Sequence, residues 1–239
     1  MDREIVRAWV EGWVVSRGAS PPVEEEWGFY YDIGPFHKAA RYVLAEPDEA
    51  RVRELTGSIA GSGVWLAVFE EPEVVREWIA PGWTIGDPGY LMTTTFAAAD
   101  TTAVPEGYEV RLWERGGVVR VVVRAPDGGP AARGQIGLPG GGRTAVVDQI
   151  ETVEAHQRRG LGRLVMGVLG NAALEAGVQD AVLAATDDGR ALYTALGWRV
   201  VSPQTDLFRT AEDAAADGVT AAEAASSVAE RAVGAARVA

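Results

Sequence analysis

The residues whose types and spacing suggest chemistry most directly are Gln157, Arg158, Arg159, Gly160, Leu161, Gly162 and Arg163, two glycines set among three arginines. Glycine lets backbone approach a ligand closely and leaves successive N–H groups unshielded by side chains. From Leu161 onward, apolar or small residues recur at Leu164, Val165, Val168, Leu169, Ala172, Ala173 and Ala176. That is the stripe of one amphipathic helix, so the glycine turn opens a helix. The first N–H groups of a helix have no intrahelical partner, and the helix dipole adds partial positive charge there. With the arginines beside it, the turn is expected to hold a phosphate-bearing ligand.

Two further groups can do chemistry near such a ligand. Tyr193 lies in the string Thr186–Trp198, TDDGRALYTALGW, and offers a phenol. Asp148 and Glu151 lie in the extended run before the turn, and strict strand alternation sends residues three apart to opposite faces. Only one of them then faces an acceptor; Glu151 is preferred as a base. His156 stands one residue before the turn and suits either a base or a cap on the turn, while His37 reads as a loop residue.

The order strand, Q-x-x-G-x-G turn, helix resembles motif A of the GNAT superfamily of acyl-CoA-dependent N-acyltransferases, whose turn wraps the pyrophosphate of coenzyme A. The string from Thr186 resembles the family's motif B, N-x-x-A-x-x-L-Y-x-x-L-G-F, with Thr186 where an Asn is common and Gly189 where Ala is usual. The resemblance covers about Tyr108 to Thr210. It implies an acetyl-CoA-dependent N-acetyltransferase acting on a primary amine of a small molecule or peptide. Under it, Gln157 to Arg163 and Thr186 touch the cofactor, and backbone groups of Thr152, Val153 and Glu154 pair with the pantetheine amides like an added strand. Tyr193 becomes the acid that protonates the departing sulfur, or else a helix-face aromatic. No metal is implied. The family usually has two helices between its first and second strands, and here only Arg115-Gly116-Gly117 intervenes. A non-catalytic acyl-CoA-binding or partner-binding module is the second reading. A Rossmann-type dinucleotide site fits poorly, because the turn lacks G-x-G-x-x-G.

Composition bounds the rest. The chain has 239 residues, no cysteine, two histidines and a formal charge of −12. Disulfides, thiolate catalysis and cysteine-based zinc sites are thereby excluded. The acidity argues against nucleic acid, which needs a basic surface. The first residues, MDREIVRAWVEGW, lack the layout of a secretory signal, and no apolar run approaches the roughly 18 residues of a membrane span. A cytoplasmic protein with no membrane partner is expected, and a homodimer is left open.

The elements expected to position the site follow in order. A helix over Asp2–Ser16 carries an apolar stripe from Ile5 to Val14. Strands are expected at Trp27–Ile33, Ala39–Ala45, Val64–Phe69, Trp83–Ile85 and Tyr90–Phe96, with helices from Glu49 to Ile59 and from Pro72 to Ile79. Six of the eight tryptophans lie before residue 84, as for a separate aromatic core. The chain should therefore divide into an α/β half at 1–96, a linker at 97–105, a GNAT domain at 106–210 and an Ala-rich tail at 211–239. The expected fold is a mixed, mostly antiparallel sheet flanked by helices. The first half is either a divergent GNAT-like repeat or an unrelated cap.

Overall fold

The computed structural model describes residues 1–35, 38–101, 103–210 and 212–213; His37 and nearly all of the Ala-rich tail lie outside them. The fold is a mixed α/β one in which most strand pairings are antiparallel and helices flank the strands. Contacts divide the chain into two compact units that are not contiguous in sequence. One holds residues 1–3, 19–89 and 202 onward, the other residues 4–18 and 90–201. Among the described residues, no helix is long and apolar enough to cross a membrane.

In the first unit, β1 (Val23–Glu25), β2 (Gly28–Asp32) and β3 (Ala40–Leu44) form an antiparallel meander. Helix α2 (Glu49–Ser58) then returns the chain to β4 (Val64–Val68), which runs parallel to β3, and α3 (Pro72–Trp78) follows. Leu44, Leu66, Val68, Val52 and Val75 make its core with Tyr42 and Trp83. The short β5 (Thr84–Ile85) and β4 both pair with the last strand, β12 (Arg199–Arg209). Within β12 and β3, the buried Arg41 donates to Asp206 Oδ1 at 2.6 Å.

The second unit has the strand order β6-β11-β10-β9-β8-β7. These are β6 (Gly89–Thr95), β7 (Glu109–Arg115), β8 (Val118–Arg124), β9 (Pro130–Gly137), β10 (Thr144–Thr152) and β11 (Asp180–Thr186). From β7 to β10 the chain is an antiparallel meander. Helix α4 (Leu161–Glu175) then leads to β11, parallel to β10, and α5 (Asp187–Ala195) follows. Each unit therefore contains the sequence meander, helix, parallel strand, helix.

Two segments depart from the expected division. The helix α1 (Arg3–Arg17), expected in the first half, joins the second unit over nearly its whole length. It packs so closely that a Cβ on Gly12 would collide with Val146, and one on Gly137 with the Gly12 carbonyl. Gly134, three residues along β9, instead faces Val165 and Leu169 of α4. The helices α1 and α4 thus cover opposite faces of β9. The expected linker is also held: the Asn171 amide accepts from Ala99 N at 2.9 Å and donates to Ala99 O at 2.8 Å. A side-chain amide satisfying both backbone groups of one residue imitates a strand partner. Local composition read this stretch as loose because its anchor lies 72 residues away.

Candidate functional site

Strands β10 and β11 pair only at Thr144–Asp180, Ala145–Ala181 and Val146–Val182. Beyond Val146 they separate, and a cleft of about 1060 Å³ opens between them. Ile150, Thr152 and Gly162 line one side, Ala185, Thr186 and Tyr193 the other. The cause of the separation is local. Asp148 lies opposite Gln135 and Glu151 opposite Arg133, so three steps on β10 match two on β9. That extra residue is a bulge, and Gln149 beside it takes a left-handed φ of 54°.

The bulge also changes which way the carboxylates point. Gln135 and Arg133 share a face of β9, so Asp148 and Glu151 share one too, contrary to the strict alternation expected from sequence. Asp148 is occupied: it accepts from Ser16 Oγ at 2.8 Å, from Arg17 Nη2 at 2.8 Å, from Arg17 Nε and from Gln149 N at 2.9 Å. Gln135 Nε2 completes the cluster by donating to Ser16 O at 2.8 Å and Ser16 Oγ at 2.7 Å. Asp148 thus anchors α1. Glu151 is held by Arg133 Nε at 2.8 Å, with both side chains more than half exposed.

At the mouth of the cleft, Gly160 is the N-cap of α4, with φ +79° and no side chain to cap with. The first ladder bond runs from Leu164 N to Gly160 O at 3.0 Å, so the N–H groups of Leu161, Gly162 and Arg163 precede it. A Cβ on Gly162 would lie 3.1 Å from Leu192 Cδ2. Among the described residues, Arg158 is one of two non-glycine residues with positive φ, at 60°. Neither Arg158 nor Arg163 makes a hydrogen bond or ion pair among the described residues. Both line the cleft, so their charges are open to an anion.

The other expected contacts are more particular. Arg159 Nη1 donates to Tyr108 Oη at 3.0 Å, and that hydroxyl lies 2.9 Å from His156 Nδ1. The phenol accepts from Arg159 and shares a hydrogen bond with the imidazole. His156 therefore fastens the turn to the segment just before β7, and Tyr108, a residue with no motif around it, is the fastening point. Gln157 Nε2 reaches Thr152 O at 3.3 Å. Val153 donates its N–H to Ala131 O at 2.9 Å, and Glu154 O accepts from Gln157 N at 3.1 Å in the short 3-10 turn that follows. Those groups of Val153 and Glu154 are therefore not open to a strand-like ligand. By alternation, the backbone groups of β10 that face the cleft belong to Thr152 and Ile150.

On the opposite wall, Thr186 Oγ1 caps α5 by accepting from Gly189 N at 3.2 Å, leaving its O–H free to donate. The start of α5 is further fixed by Tyr90 Oη donating to Asp187 Oδ1 at 2.9 Å, with Arg190 stacked 4.1 Å over the Tyr90 ring. Tyr193, one turn and a half along, is 8% exposed, and its ring lies 5.9 Å from that of Trp198. Burial first, and the negative charge of Asp148 second, push the Tyr193 phenol up to about 12.

That shift makes a prediction about stability. A raised pKa means the folded state holds the proton more tightly than the unfolded one, so the contribution is complete below the ordinary value of 10.0 and is lost as pH rises toward about 12. The loss amounts to roughly 2–3 kcal/mol. Urea unfolding across that window should show a steeper alkaline decline for the native chain than for Tyr193→Phe, the difference being this one group.

No protein-family model matches the sequence, and no curated protein does. Solved structures do match. A GCN5-related N-acetyltransferase from Kribbella flavida aligns at TM-score 0.61 and 20% identity, over 87% of this chain and 95% of that one. A GCN5-related N-acetyltransferase-like protein from Streptococcus suis aligns at 0.58 and 15%, over 87% and 98%. An acetyltransferase of the GNAT family from Novosphingobium aromaticivorans aligns at 0.52 and 18%, over 86% and 96%. These alignments cover far more than residues 106–210, so the likeness extends through both units. The chain has the fold of the GCN5-related N-acetyltransferases.

Proposed function

We propose that the protein is an acetyl-CoA-dependent N-acetyltransferase that moves an acetyl group to a primary amine of a small molecule or peptide by direct attack. The observation that carries this reading is the separation of β10 from β11 beside an uncapped helix N-terminus with two unspent arginines. The residues present suit the cofactor. The N–H groups of Leu161, Gly162 and Arg163 and the guanidinium groups of Arg158 and Arg163 would hold its pyrophosphate. Backbone groups of Thr152 and Ile150 would meet its pantetheine amides. When bound, acetyl-CoA supplies an acyl group already activated as a thioester.

The chain's own residues then manage protons. A neutral amine must reach the thioester carbon, lose a proton, and leave a thiolate that gains one. Tyr193 keeps its proton throughout the neutral range and gives it to the sulfur. Glu151, on the same face as Asp148, takes the amine proton through water.

Titration calorimetry with acetyl-CoA tests the binding, and release of free thiol on a panel of amines tests the transfer. Because the chain has no cysteine, thiol detection has no protein background. One site per chain is expected. In the first unit β3 and β4 stay paired over five residues, and the Asp48 carboxylate already caps α2 by accepting from Arg51 N at 2.9 Å. Two sites per chain would contradict this account of the first unit, and absence of binding would remove the enzyme reading. The second reading, an acyl-CoA-binding module without turnover, is favoured by the ion pairs that hold both Asp148 and Glu151, and predicts binding with no thiol release on any amine.

A further inference from the structure

The strand β7 ends the order of strands in its unit, so among the described residues one of its backbone edges meets no strand there. Its seven residues pair with β8 without a bulge and include no proline. Leu112 and Trp113, on opposite faces, are 50% and 45% exposed. A regular edge of this length with large apolar side chains is a template for another strand unless something opposes the pairing.

The charges along β7 select one partner. Its sequence, Glu109-Val110-Arg111-Leu112-Trp113-Glu114-Arg115, is complementary to itself when a second strand runs antiparallel about Leu112. Glu109 then lies opposite Arg115 of the second copy, and Arg115 opposite its Glu109. Arg111, which already donates to Glu109 of its own strand from Nε at 3.0 Å and from Nη2 at 3.4 Å, lies opposite Trp113 in both directions, where a guanidinium can stack on indole. All four residues occupy the same face, because they are spaced by two. On the other face Leu112 meets its own counterpart, and Val110 meets the stem of Glu114. Moving the centre by one residue opposes like charges: centred on Arg111, two guanidinium groups coincide, and centred on Trp113, Arg111 faces Arg115. Cross-strand opposite charges favour pairing and like charges oppose it.

We infer that β7 is a homodimer interface, at which two copies join their sheets edge to edge about a two-fold axis through Leu112. The contact is independent of the catalytic reading, since no residue of the cleft takes part.

The absence of cysteine makes the geometry directly testable. Opposed residues in antiparallel strands have Cα atoms about 4.5–5.5 Å apart, within the reach of a disulfide. A Leu112→Cys chain treated with diamide should therefore form a covalent dimer rapidly. In an Arg115→Cys chain the two thiols would be about 20 Å apart, six residues of offset, and should cross-link no faster than by collision. Both positions are exposed, and a shared melting temperature with the parent chain checks that each folds. Sedimentation equilibrium over a concentration series provides the second arm. The native chain should dimerise, Glu109→Arg and Arg115→Glu should each shift it to monomer, and the double variant should restore the dimer. A chain that stays monomeric overturns the inference, as does equal cross-linking at 112 and 115. A dimer indifferent to the single reversals places the interface elsewhere and overturns it too.

Discussion

Replacing Tyr193 with phenylalanine is expected to slow acetyl transfer by about 100- to 10,000-fold, the usual range for removing a positioned proton donor. Acetyl-CoA affinity should hardly change. The phenylalanine ring keeps the packing against Trp198 and the place in the core that Tyr193 shares with Leu161 and Leu183, so the wall of the cleft is retained. Only the hydroxyl is lost. The raised pKa keeps the proton on Tyr193 until the thiolate forms, while making the phenol a weaker acid than an unperturbed one. The same shift means that the rate should show no loss from Tyr193 ionisation between pH 7 and about 10. Thiol release measured on the native chain and the variant, with calorimetry on both, separates the proton from the packing. A variant of unchanged rate would return Tyr193 to the role of a helix-face aromatic.

Introducing glutamate at both Gly160 and Gly162 should abolish acetyl-CoA binding. A carboxylate about 5 Å from a pyrophosphate charge costs about 3 kcal/mol at the effective dielectric of a protein surface, or roughly two orders of magnitude in affinity per carboxylate. Backbone effects are smaller. Gly160 has open space around its absent Cβ but a φ of +79°, so any side chain there is strained. At Gly162 the neighbour to be displaced is the end of Leu192, a flexible group. A Gly160→Ala control carries the strain without the charge and should lose far less, on the order of tenfold. Calorimetry that finds equal losses for alanine and glutamate would place the anion away from this turn.

The parts of this site visible in the sequence are those encoded over one or two turns of chain. The stripe from Leu161 announces α4, the glycines announce its bare N-terminus, and the spacing to Tyr193 announces α5. What escaped is determined by pairings far apart in sequence. The role of Asp148 depends on Ser16 and Arg17, 132 and 131 residues away, and no local pattern connects them. The assumption that Asp148 and Glu151 face opposite ways failed because a one-residue bulge resets strand parity, and the bulge at Gln149 carries no glycine to signal it. Tyr108 escaped for the same reason as Asn171: each is an ordinary residue whose meaning lies in a distant partner. The face of β9 opposite α4 is covered by α1.

The interleaved membership of the two units has a consequence for how the chain comes to be folded. Strand β12 leaves the ribosome after every other strand described, yet it is the antiparallel partner of β4, made some 140 residues earlier. During synthesis the β4 edge must therefore wait, exposed, until β12 has been made, which makes closure of the first unit a long-range event. The second unit has the opposite timing, because its α1 emerges before the strands it packs on and must wait for β9 and β10 before it has anything to cover. Neither half can be excised by a single cut. A fragment spanning 106–210, the span whose motifs suggest a domain, would lack α1 and β6 and would carry β12 without its partner β4, leaving apolar faces and strand edges bare. Chaperone dependence and truncation tolerance should accordingly follow the pairing of segments and not their order along the chain.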